Sequence, residues 1–86
     1  MTTQTFIIRG ACGLHARPAL RFVDIAKKFE SKIIIEKESK RIDAKSLVSV
    51  LSAGISNGTT IYLSTEGPDE EEAMHQISQF LSTPLD

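Results

Sequence analysis

Gly13-Leu14-His15-Ala16-Arg17-Pro18-Ala19 joins a β-forming segment to an amphipathic one, and the fold is read outward from it. Pro18 suits the first turn of a helix, where its missing N–H would have had no intrahelical partner. A helix starting at Ala16 leaves the amides of Ala16 and Arg17 free, at an end carrying roughly half a positive charge. Such an end takes anions, phosphate among them. His15 then stands at or just before the cap, and Arg17 adds a permanent charge with several donors suited to a phosphoryl group. The same positive end disfavours imidazolium and biases the ring towards its neutral, nucleophilic form. Two readings fit these residues: a histidine that accepts and then donates a phosphoryl group, and a surface histidine beside an incidental arginine.

Upstream, Thr3 to Arg9 reads as a strand of β-formers that Gly10 breaks. Downstream, Ala19, Phe22, Val23, Ala26 and Phe29 recur at three- and four-residue steps, which predicts an amphipathic helix from Ala16 to about Phe29. Lys32 to Lys37 and Lys40 to Asp43 read as strands joined at Glu38-Ser39. Ser46 to Ala53 fits two patterns: its apolar residues suit a short buried helix, and its two valines suit a strand. Ser46 as N-cap and Gly54 just past the end favour the helix. Asn57-Gly58 marks a turn, and Thr59 to Ser64 a further strand. Gly67-Pro68-Asp69 opens a last helix, with Asp69 the expected cap and Glu70 to Glu72 matched to the positive end. Ala73, Met74, Ile77, Phe80 and Leu81 form its apolar stripe. The order is βαββαβα, which predicts an α+β fold: a two-layer sandwich of four strands covered on one face by three helices.

Eighty-six residues predict a single domain over 1–86, without room for a separate catalytic lobe. No apolar run approaches the roughly 18 residues of a membrane span, and Met1-Thr2-Thr3-Gln4-Thr5 lacks the pattern of a signal peptide. Cys12 is the only cysteine, so no internal disulfide can form and a cytoplasmic location is expected. All ten Lys and Arg lie in residues 1–45 with five acids, while residues 46–86 hold six acids and no base. That split predicts a charged partner surface, with a solvated surface of two signs as the alternative. The basic residues form no run and stacking aromatics are few, which argues against a nucleic-acid partner.

Cys12 and His15 have the spacing of two zinc ligands, but a structural site needs four and the only other histidine, His75, lies off the last helix's apolar stripe. No metal and no cofactor are expected. A Cys–His nucleophile pair lacks an orienting residue for the base. Ser46 admits a plain structural role as a cap, and equally a regulatory one, because an added dianion would alter the adjoining surface. Leu47, Val48 and Leu51 exceed what one short helix can hide, and Leu20 flanks the stripe of the first helix, so an apolar docking surface is expected there.

Gly-Leu-His-Ala-Arg-Pro-Ala resembles the active-site signature of HPr, the histidine phosphocarrier family of the bacterial phosphoenolpyruvate:sugar phosphotransferase system. Ala44-Lys45-Ser46-Leu47, the Gly-Ile-x-x-Gly loop at Gly54 to Gly58 and the acidic last helix extend the resemblance over nearly the whole chain. It implies an open-faced β-sandwich with a four-stranded antiparallel sheet, and a carrier rather than a stand-alone enzyme. His15 would take a phosphoryl group on Nδ1 from enzyme I and pass it to IIA domains of sugar permeases, with Ala16 and Arg17 holding the phosphate. Leu20, Arg21, Leu47, Val48 and Leu51 would meet those partners. Ser46 would be, as in some members of the family, the target of a serine kinase/phosphorylase, or, as in others, only a cap, and the protein would act as a monomer without inserting in membranes. A regulatory module, or one in a nitrogen branch, is the alternative function, and a generic interaction domain a third. One departure stands out: Cys12 occupies a position where the family commonly has a small polar residue, and a thiol is the weaker hydrogen-bonding group.

Overall fold

In the computed structural model, which describes residues 1–9 and 16–82, period-two alternation separates a buried from an open face of one sheet. Strands β1 (Thr2–Ile7), β2 (Lys32–Lys37), β3 (Lys40–Asp43) and β4 (Thr60–Glu66) lie in the order β1-β4-β2-β3, each neighbouring pair antiparallel. Helices α1 (Ala16–Lys27), α2 (Leu47–Ser52) and α3 (Glu70–Ser82) complete the order βαββαβα. Ile33 and Ile35 of β2, Ile42 of β3, and Ile61, Leu63 and Thr65 of β4 are buried. Their neighbours Glu36, Arg41, Tyr62 and Glu66 are exposed on the uncovered face. A one-residue slip would exchange these two sets, so burial of one face pins the register.

The helices supply the other half of the core: Ala19, Phe22, Val23 and Ala26 from α1, Val50 from α2, and Ala73, Met74, Ile77 and Leu81 from α3. Phe22 meets Phe80 with ring centroids 6.3 Å apart, which ties α1 to α3. The layer arrangement is the expected α+β sandwich, and β2 and β3 span the residues predicted for them.

Other boundaries differ for local reasons. β1 stops at Ile7, although Ile8 still donates to the Thr59 carbonyl (2.9 Å) and accepts from the Gly58 amide (2.8 Å). α1 ends at Lys27 because Lys28 and Phe29 donate to carbonyls three residues back, those of Ile25 and Ala26, so the last turn tightens. β4 runs to Glu66 rather than Ser64, since β1 and β2 pair with it from both sides.

The largest correction concerns Asp69. Its carboxylate does not serve as the expected cap; it accepts from the amides of Glu30 and Ser31 (both 2.9 Å) and from the Ser31 hydroxyl. Glu70 reaches back to the Gly67 amide at 3.1 Å, the return leg of a capping box, with Pro68 following Gly67 at the first position of the turn. Gly67 is required there: its φ is +151°, and a Cβ would stand 2.7 Å from both Cα and Oγ of the buried Ser31.

Candidate functional site

α1 opens with Ala16-Arg17-Pro18, and its first turn holds no acidic residue. The positive end of the helix is therefore not neutralised by its own side chains. Pro18 and Ala19 are buried and anchor the turn, while Arg17 is exposed. His15, Cys12 and the side chain of Ala16, on which the phosphate-binding expectation also rests, lie outside what the structure describes.

Beyond the first turn, the buried positions 19, 22, 23 and 26 leave Leu20 and Arg21 on the outer side of α1. Helix α2 packs beside α1. On α2 only Val50 is fully buried; Leu47 is half-buried, whereas Val48 is 74% and Leu51 41% exposed. Leu20, at 49%, joins them. The expectation that a six-residue helix cannot hide its apolar residues holds, and Arg17, Leu20, Arg21, Val48 and Leu51 come to lie on the exposed sides of two packed helices.

Ser46 is the N-cap of α2: its backbone is extended, and its Oγ accepts the Ser49 amide at 3.3 Å. Gly54, just past the helix, has φ +63°, the left-handed conformation that ends helices at glycine. Both boundary signals read from the sequence are realised.

Two lysines that pattern reading left without a role fix these helices. Lys37 Nζ donates to the carbonyls of Ala53 (2.9 Å) and Gly54 (3.1 Å), satisfying the C-terminal end of α2 from the sheet. Lys45 Nζ donates to the Phe29 carbonyl at 2.6 Å and ties the approach to α2 to the end of α1. Their partners lie 16 or 17 residues away in sequence, so no local pattern announces them.

The shifted titrations lie at the start of α3. The Ser31 hydroxyl, followed by the Glu30 amide, holds the Asp69 carboxyl below its ordinary range. The Gly67 amide, then the chain's amino group and the Thr2 hydroxyl, do the same for Glu70. Among the described residues no three His, Cys, Asp or Glu side chains are grouped to hold a metal ion, and His75 is exposed. No helix among them is long and apolar enough to cross a membrane.

The described residues form an open-faced sandwich with a partly apolar face, carrying Arg17 and Arg21, beside the start of its first helix. The chain matches the family described as PTS HPr component phosphorylation site over residues 2–83, and it belongs to that family. Its members are phosphocarriers rather than stand-alone catalysts. The HPr-like protein Crh of Halalkalibacterium halodurans is 49% identical over 69 residues, 80% of this chain and 82% of that one. Bacillus subtilis Crh is 37% identical over 81 residues, 94% of this chain and 95% of that one. A crystal structure of HPr from Thermoanaerobacter tengcongensis superposes with a TM-score of 0.93 at 44% identity, covering 95% of this chain and 92% of that one. A crystal structure of Bacillus subtilis Crh, described as an intertwined, domain-swapped dimer, has a TM-score of 0.76 at 36% identity and full coverage of both chains.

Proposed function

We propose that this protein carries a phosphoryl group on His15, taken from phospho-enzyme I at Nδ1 and handed to IIA domains of sugar permeases. The observation that carries the reading is the uninterrupted Gly-Leu-His-Ala-Arg-Pro-Ala stretch within a family match that spans residues 2–83. In this reading the attacking imidazole nitrogen forms a bond to phosphorus as enzyme I departs, and the reverse displacement at the IIA domain restores the free ring. Arg17 and the first amides of α1 hold the phosphoryl oxygens in both steps. Leu20, Arg21, Leu47, Val48 and Leu51 provide the surface both partners use in turn. No cofactor takes part, and the relay runs in the cytoplasm.

A second reading is a regulatory or nitrogen-branch module. The two Crh relatives favour it, together with Ser46 beside the exposed Val48. Here a serine kinase/phosphorylase adds charge at Ser46 and alters docking on the same face. Enzyme I with labelled phosphoenolpyruvate separates the two. An acid-labile, base-stable label that is lost in His15→Ala supports the carrier; label that arrives only with ATP and a kinase, and is lost in Ser46→Ala, supports the regulator. The carrier acts as a monomer in the first reading, and light scattering at assay concentration tests this against the exchanged dimer described for Bacillus subtilis Crh.

A further inference from the structure

A groove of about 370 Å³ runs between β3 and α2, lined by Lys40, Arg41, Ile42, Ser49, Ser52 and Ala53. β3 is an outer strand, paired with β2 alone. The two-residue turn at Glu38-Ser39 makes Lys37 and Lys40 a hydrogen-bonded pair, and alternation then makes Glu36 and Arg41 a non-bonded one. The N–H and C=O of Arg41 therefore point away from β2, to the side where the groove lies. Buried Ile42 and Ala53 give the groove an apolar floor, and Ser49 and Ser52 line its helical wall. The ion pair among the described residues joins the chain's amino group to Glu70; Arg41 stands opposite Glu36 on the uncovered face, while Lys40, on the groove's own lining, is in no ion pair with a described carboxylate.

Short edges carrying lysine are a known guard against chance strand pairing. This edge is four residues long, and Lys40 and Arg41 outnumber its one acid, Asp43, so basic strands gain least from it. An acidic strand is the sequence class for which the guard becomes an attraction. We infer that an extended acidic segment of a protein partner pairs along β3, its backbone meeting Arg41 and a carboxylate meeting Lys40. The groove flanks the helix that also bears Val48 and Leu51, so a partner seated on that helix can lay the segment beside it in one encounter. Binding of this kind goes beyond the phosphoryl relay and needs neither His15 nor Ser46.

The test is titration of the ¹⁵N-labelled protein with a capped, alternating Val-Glu octapeptide, with the Val-Lys octapeptide as its counterpart. The Val-Glu peptide shifts the amides of residues 40–43, Ser49 and Ser52 and slows exchange of the Arg41 amide about tenfold, because that N–H becomes hydrogen-bonded. Lys40→Glu, and independently Ser52→Glu on the opposite wall, weaken the binding about tenfold by reversing the field in the groove. The inference is overturned if Arg41 gains no protection, if the Val-Lys peptide binds equally well, or if the shifts centre on Leu20 and Val48 instead. Phosphorylation plays no part in the measurement, so its outcome is independent of the carrier reading.

Discussion

The start of α3 and the face formed by α1 and α2 are built on opposite plans. At the first, donors from Met1, Thr2, Glu30, Ser31 and Gly67 converge on the carboxylates of Asp69 and Glu70. At the second, Arg17, Leu20, Arg21, Val48 and Leu51 face solvent. The difference separates the part of this small fold that holds its loops together from the face on which the proposed relay would draw. Groups already satisfied within the chain hold loops together; exposed apolar and charged groups left uncommitted, as on the second face, are what the proposed docking of partners requires.

Substitutions at each region should therefore report on different quantities. Gly67→Ala combines a positive φ with overlap against Ser31, and is expected to cost about 3 kcal/mol in urea denaturation. A cost below about 1 kcal/mol would show that the 30–31 loop yields readily, and the contrast would lose its rigid half. Val48→Glu should slow transfer to a IIA domain about tenfold, near 1.4 kcal/mol. Its stability should move by less than about 0.5 kcal/mol, because the side chain is exposed. Loss of stability with transfer intact would invert the assignment.

A gain is expected away from both regions. Glu38 and Ser39 take φ values of 49° and 73° in the β2–β3 turn, a conformation better suited to Asn-Gly. Replacing the pair with Asn-Gly should stabilise the fold by about 1 kcal/mol in the same denaturation assay, with transfer unchanged. The smallest effect concerns acid. The pKa of Asp69 is lowered in the folded chain, so its contribution is present above the unfolded value, near 3.9, and is lost as pH falls through the folded value. Asp69→Asn should lower stability at neutral pH and flatten its decline below about pH 4, as read from denaturation midpoints across that range.

Where interactions are short in sequence, the chain was readable. β2 and β3 were legible residue for residue, because charged ends bracket Ile33 to Ile35 and a two-residue turn separates the strands. The short helix α2 was ambiguous by its valines and was decided by its ends, through Ser46 and Gly54. That Leu47, Val48 and Leu51 could not all be hidden, and that Leu20 need not be buried, followed from the width of the apolar stripes; that Val48 and Leu51 are the exposed ones did not. Asp69 misled for the opposite reason: an acid before a helix looks like a cap, yet its donors sit 38 and 39 residues away. Lys37 and Lys45 went unassigned for the same reason.

By itself the sequence determined the order of elements, most of their limits and the motif on which the carrier reading rests, because periodicity, capping and turn chemistry act within a few residues. The tertiary structure decided the strand order β1-β4-β2-β3, the contact that reserves position 67 for glycine, and the use of Asp69 as a clamp on the 30–31 loop. It also set which apolar residues of α1 and α2 remain in water and which side of β3 stays open. Each of these depends on distant segments meeting in space, where hydrogen bonds and excluded volume are settled between residues that no local pattern relates.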